Sequence, residues 1–96
     1  MTMVFDPLAK REYEDAFEYY EAQGAGLGEK FRGAVLAAIA ILERFPEIVE
    51  EVRPGIRKIL LRRFPCKLIY SVIDDAVYVI AVAHGHREPD YWIGRA

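Results

Sequence analysis

The run AVYVIAVAH, residues 76–84, constrains this chain more than any other stretch. Apolar residues occupy both of its alternating sets: Val77, Val79 and Ala81 in one, Tyr78, Ile80 and Val82 in the other. Side chains alternate across a strand, so a strand that is apolar at both parities is buried on both faces and holds a central place in its sheet. It needs a hydrogen-bonding neighbour on each side. CKLIYSVI, residues 66–73, joined to it through Asp74-Asp75, supplies one as a tight hairpin partner. The short apolar stretch MVF near the N-terminus is available for the other. IRKILLRRF, residues 56–64, is a third β segment, set off by a Pro54-Gly55 turn.

Between residues 6 and 46 the apolar period changes. Asp6-Pro7 is an N-cap followed by proline at the first helical position. Ala9, Tyr13, Ala16, Phe17 and Tyr20 then share one helical face, while Glu12, Glu14, Asp15, Glu18 and Glu21 cover much of the rest. GAGLG, residues 24–28, offers glycines able to take the left-handed conformation where the chain must reverse. Leu27, Phe31, Ala34, Val35, Ala38, Leu42 and Phe45 set a second helix, which Pro46 stops. The predicted fold class is α+β: an N-terminal antiparallel helical hairpin packed on one face of a small antiparallel sheet. With 96 residues, 53% of them hydrophobic, the chain has material for one core, so residues 1–96 are expected to form a single domain.

Several functional classes drop out. GAGLG lacks the preceding strand and following Lys-Ser/Thr of a phosphate loop, and there is no βαβ unit for a dinucleotide. The His84-x-His86 pair has no further Cys or His at ligand spacing, so neither a metal nor another cofactor is expected. Cys66 stands alone, which fits inert strand packing and a reducing compartment. No window approaches the roughly 18 apolar residues of a membrane span, and MTMVFDPLAK lacks the pattern of a signal peptide. The expected location is the cytoplasm, without a membrane partner.

Charge is divided along the chain. Residues 1–51 hold eleven acids against five Lys and Arg, a net −6; residues 52–96 hold four against eight, a net +4. Arg53, Arg57, Lys58, Arg62, Arg63 and Lys67 fall in a stretch without a single acid. Such a run is either a solvated strand surface balanced by the acidic helices or a face for anions and acidic partners. Directly after the central strand comes AVAHGHREPDYW, residues 81–92. Read structurally, His84 caps the strand, His86 and Arg87 shape a turn with Pro89, Trp92 folds back as a lid over the sheet edge, and Arg95 is solvent-exposed. Read functionally, polar residues on a loop positioned by a rigid strand build a site, and the Arg87 fork suits a phosphate or a carboxylate.

The succession FDPLAKREYEDAFEYYE, GLGEKF, RRFPCKLIYSV and VIAVAHGHREPDYW resembles the RelE/ParE superfamily, the toxins of type II toxin–antitoxin modules, from Phe5 to Trp92. The resemblance implies a toxin neutralised by a cognate antitoxin in a hetero-oligomer, and it implies one of two targets. The RelE-like branch is a ribosome-dependent, metal-independent mRNA endonuclease. The ParE-like branch inhibits DNA gyrase through protein contacts. A third possibility is a non-toxic relative that only binds antitoxin.

RNA cleavage by a 2′-hydroxyl needs a base, an acid and positive charge on the phosphorane. Candidates for these roles are Arg63, Lys67, Arg87, Tyr91, His84 and His86, with Arg57 as a further phosphate contact. For a protein target the candidates are Arg87, Trp92, Arg57 and Arg62. Two features favour the ParE-like branch: a sequence pI near 5.7, poorly suited to an rRNA-lined site, and Ile93 where the RelE-like spacing from Arg87 calls for tyrosine. The basic second half and the sheet edges predict an antitoxin whose acidic, apolar tail wraps the domain.

Overall fold

The computed structural model describes residues 2–95. Strand β5 (Ala76–His84) lies between β1 (Thr2–Phe5) and β4 (Cys66–Ile73). Beyond β4 come β3 (Ile56–Leu60) and β2 (Glu51–Arg53), completing a five-stranded sheet in the order β1-β5-β4-β3-β2. Helices α1 (Pro7–Gln23) and α2 (Leu27–Arg44) pack on one face. The sheet is mixed: β1 runs parallel to β5, with Thr2 opposite Ala76 and Phe5 opposite Val79, and every other pair is antiparallel. A helical hairpin and a β meander, each reversing the chain at every connection, intervene between them, and an even number of reversals brings β5 back to the direction of β1.

The double apolar parity of β5 has two causes. Ile69 pairs with Ala81 but Tyr70 pairs with Val79, so Ile80 is an extra residue, a β-bulge that shifts the alternation. Val77, Val79 and Val82 therefore join Phe31, Val35, Leu42, Leu68 and Tyr70 in the core beneath the helices. Ile80, Ala81 and Ala83 form a second cluster with Ile69 and Trp92 on the other face. The β4–β5 hairpin closes with Asp74 at φ 46° and Asp75 at φ 61°, the two left-handed residues of a tight two-residue turn.

Local capping agrees with the sequence. Asp6 caps α1 through Oδ1, which accepts from the Leu8 amide at 2.9 Å, and its Oδ2 accepts from the Tyr78 hydroxyl at 2.9 Å, tying the helix start to β5. In the glycine turn, Gly26 takes φ 84°, and the Gly26 and Gly28 amides donate to the Glu21 carboxylate at 3.1 and 3.0 Å. These amides are satisfied within the chain, as a helix start with no side-chain cap of its own requires. Gly28 also lies where a Cβ would sit 3.0 Å from the Phe17 carbonyl, so the two helices meet through this glycine.

Two boundaries differ from the sequence reading. The segment 56–64 is not one strand: β3 ends at Leu60, and Arg63 takes φ 68° in the turn to β4. The short strand β2, exposed at all three residues, carries no alternation that could have announced it. Phe31→Ala in the core should cost about 3–5 kcal/mol in urea denaturation, and Leu60→Ala, 71% exposed, less than about 0.5 kcal/mol.

Candidate functional site

The sheet face turned away from the helices carries a cationic cleft. Register places Lys58, Ile69 and Ala81 in one cross-strand row and Leu60, Lys67 and Ala83 in the next. Residues following β5 form a roof over them. The roof rests on Trp92, 7% exposed and packed on Ile69, Ile80, Ala81 and Ala83. Between floor and roof is a cleft of about 360 Å³ whose cations are Arg53, Lys58, Lys67 and Arg87, with His84 at one end. Asp90 on the roof accepts from Arg53 at 2.8 Å, which pins the far side of the cleft to β2. Lys58 and Lys67 make no ion pair among the described residues and are available to an incoming anion.

The near side of the roof is pinned by an edge problem. Strand β1 pairs with β5 only as far as Val79, which leaves the later part of that edge without a strand partner. Side chains take its place. The Val82 amide donates to Glu12 Oε1 at 3.0 Å, and the Ile80 carbonyl accepts from Arg95 at 3.2 Å. Glu12 and Arg95 close on each other in a fork of 2.9 and 3.1 Å, each 14% exposed. Arg95 is therefore not the solvent-exposed residue expected from sequence; the open edge and an acid on α1 draw it in.

Tyr91 fills the space beside this pair. Arg87 lies over its ring at 3.9 Å and Arg95 at 5.1 Å. The Tyr91 hydroxyl is buried beside Glu12 and has no hydrogen-bond partner within bonding geometry, while Glu12 binds Arg95 and the Val82 amide. Burial first, and then the neighbouring Glu12 carboxylate, push this phenol far above its usual range. The Glu12 contact also raises Arg95, holding the guanidinium charged more firmly than usual.

The structure brings Lys67, His84, Arg87, Tyr91 and Trp92 to one cleft. His86 stacks on His84, ring centroids 5.0 Å apart, and donates its amide to His84 Nδ1 at 3.2 Å, but the His86 side chain faces an adjoining groove with Asp15, Tyr19 and Tyr20. Arg57, one position out of phase with Lys58, points to the helix face. There it donates to the Val49 carbonyl and pairs with Glu47 and Glu51, holding the loop after α2. Arg62 and Arg63 lie in the β3–β4 turn against α2, because the strand has already ended. The grouping of Arg63 with Lys67 and Arg87 is thus not found. Sequence reasoning placed Glu12 only on the polar face of α1 and counted Arg53 and Lys58 in the basic run without naming them as site residues; pairing the β3 and β4 parities would have found Lys58.

Chemically, the cleft offers two free lysines, a guanidinium fork and an apolar floor, which suit a phosphate or a carboxylate. Among the described residues no three His, Cys, Asp or Glu side chains are placed to hold a metal.

The family model described as the ParE toxin of type II toxin–antitoxin systems matches residues 3–89. The chain belongs to the ParE toxin family. Its fold also matches solved toxins. One is a chromosomal ParDE system from P. aeruginosa, 16% identical, with TM-score 0.62, covering 88% of this chain and 95% of that one. Another is the intact E. coli RelBE toxin–antitoxin complex, 27% identical, with TM-score 0.58, covering 90% and 98%. A third is a double arginine-to-alanine variant of E. coli RelE in the free state, 27% identical, with TM-score 0.58, covering 88% and 83%. No curated protein sequence matches the chain. Among the described residues of this toxin no helix is long and apolar enough to cross a membrane.

The toxin's tyrosines give a pH prediction. Tyr13, Tyr20, Tyr70 and Tyr91 are raised, by burial above all, and Tyr78 chiefly by its hydrogen bond to Asp6. The folded state thus favours the protonated phenols, and their stabilisation is complete below the unfolded value near 10 and lost as pH rises through the folded values. Thermal melts should show a midpoint that falls once pH exceeds about 10, with a shallower fall in Tyr78→Phe.

Proposed function

We propose that this toxin acts in the cytoplasm on a protein target, DNA gyrase, through the roofed face of its sheet, and that a cognate antitoxin holds it inactive. The observation that carries the reading is the sealing of Tyr91. Metal-free RNA cleavage needs an accessible base and an accessible acid, yet the Tyr91 hydroxyl is closed in beside Arg87, Arg95 and Glu12, and the His86 side chain faces a different groove. His84 is left as the only one of the proposed proton carriers with access to the cleft. What remains is recognition chemistry: the Arg87 fork, Lys58, Lys67 and an aromatic-backed wall, the composition of an interface anchor. A net charge of −2 and a pI near 5.7 also favour a protein over an RNA-lined target.

Two observations support the RelE-like reading instead. Arg53, Lys58, Lys67 and Arg87 converge on a space large enough for a phosphate group, and the RelE chains are the more similar in sequence.

Purified toxin added in parallel to a gyrase supercoiling reaction and to ribosomes carrying a defined mRNA separates the two. The proposal expects inhibited supercoiling and intact mRNA, with inhibition weakened about tenfold or more by Arg87→Ala in a variant that keeps its native circular dichroism. Cut mRNA with normal supercoiling would contradict it.

A further inference from the structure

The roof of the cleft, from Gly85 to Arg95, is built of turns, with no helix or strand to stiffen it. It is held at its centre and from two sides. Trp92 packs at the centre, and on the near side Arg95 forks with Glu12, each 14% exposed. On the far side the tie is Arg53 with Asp90, at 2.8 Å and with side chains 49% and 47% exposed. This is the one ion pair joining the roof to β2 among the described residues.

The two side ties are unequal. An ion pair in water is weak, because both charges give up hydration and side-chain freedom for little Coulomb gain, whereas losing one partner of a largely buried pair strands the other. The far tie also has the less rigid anchor: β2 is a three-residue edge strand whose pairing to β3 is irregular between Glu51 and Arg53. The far side is therefore the side that yields.

Asp90 is at the same time part of the cleft lining. Arg53, Lys58, Lys67 and Arg87 face the cleft, and so do two acids, Glu88 and Asp90. Glu88 makes no ion pair among the described residues, while Asp90 sits on Arg53. It does so from a left-handed backbone, φ 65°, a conformation that aspartate tolerates better than most residues. The fold thus puts a carboxylate of its own on one of the cations that an acid from outside would seek.

We propose that Asp90 is an internal competitor for the cleft: it occupies Arg53 and keeps the far side of the roof closed until a carboxylate of the protein target takes its place. The proposal rests on the reading of this face as a protein-binding surface. Arg53, Lys58 and Lys67 stand on three successive strands, so β2 and β4 are about 10 Å apart. A segment with neighbouring acidic side chains spans that distance, with one carboxylate on the lysines and one on Arg53; a lone phosphate does not. Exchange at Arg53 replaces one exposed ion pair by another, so a partner with a second acid opens the roof and a partner with one acid meets the lysines alone. The latch selects by that difference.

The test is a nitrogen-15 NMR titration of the full chain with acetyl-Glu-Glu-Glu-amide, with inorganic phosphate at equal ionic strength as a second arm. Asp90→Asn frees Arg53 and should tighten peptide binding about three- to fivefold, the range that an exposed ion pair accounts for. Glu88→Gln removes the same charge from the same cleft without touching Arg53, and should change binding less than about 1.5-fold. In an Arg53→Ala background, Asp90→Asn should have no larger effect than that. Saturating peptide should move the Tyr91 and Ile93 amide resonances of the wild type toward their positions in free Arg53→Ala, where the latch is open. Equal tightening by Glu88→Gln, or tightening by Asp90→Asn that survives Arg53→Ala, would reveal a general charge effect and overturn the proposal. So would phosphate binding more tightly than the peptide, peptide binding that leaves Tyr91 and Ile93 unmoved, or no peptide binding up to about 20 mM. No gyrase enters these titrations, so their failure is distinct from a failure of the supercoiling assay.

Discussion

The Glu12 carboxylate finishes a sheet edge that β1 is too short to finish. It accepts the Val82 amide and forks with Arg95, whose other contact is the Ile80 carbonyl, so two side chains supply the donor and the acceptor that a longer strand would have supplied. Unpaired strand edges invite foreign strands and leave polar groups short of partners. Here the edge is closed by an ion pair brought together from opposite ends of the chain, 83 residues apart in sequence. Breaking a largely buried pair by removing one partner leaves an uncompensated charge, which is why so much rests on it.

The cleft inherits its shape from this closure. With Arg95 drawn in, the residues before it lie across the sheet, Trp92 settles on Ile69 and Ile80, and Tyr91 is shut beneath Arg87. Arg87 lies over the Tyr91 ring with only a weak 3.9 Å approach to Glu12, which Arg95 has already neutralised, and stays half exposed. The interaction that completes the fold thus also decides which side chains the outside world meets: lysines and an arginine, but not the phenol. The same separation appears in the charges. Two acids of α1 are spent internally, Glu12 on the sheet edge and Glu21 on the start of α2, while Lys58, Lys67, Arg62 and Arg63 make no ion pair among the described residues on two different surfaces.

What the sequence made legible was short-range or periodic. The Asp6-Pro7 cap, both helices, the glycine reversal, the Asp74-Asp75 hairpin and the central place of β5 all follow from patterns a few residues long. The bulge at Ile80 was hidden because both parities of β5 are apolar, so a phase shift leaves no trace. Strand β2 was hidden because Glu51, Val52 and Arg53 are all exposed. For the site, the cluster of Lys67, His84, Arg87, Tyr91 and Trp92 was readable, since four of the five share one run of chain. Arg57, Arg62 and Arg63 were placed with it because a basic run carries no sign of face or of where its strand ends. Their true positions depend on the β3–β4 register and on one left-handed residue. Glu12 was one acid among many on α1, and nothing local marks it as the partner of Arg95.

The sole tryptophan reports directly on whether Glu12 holds the roof in place. Glu12→Gln keeps an oxygen for the Val82 amide but cannot neutralise Arg95, so it isolates the charge from the edge hydrogen bond. Native far-ultraviolet circular dichroism should survive, because β4 still pairs along β5, while Trp92 emission shifts to the red and its acrylamide quenching rises several-fold over the wild type. A Trp92 that stays blue-emitting and protected in the Gln variant would show that the roof is held by apolar packing alone and would contradict the account.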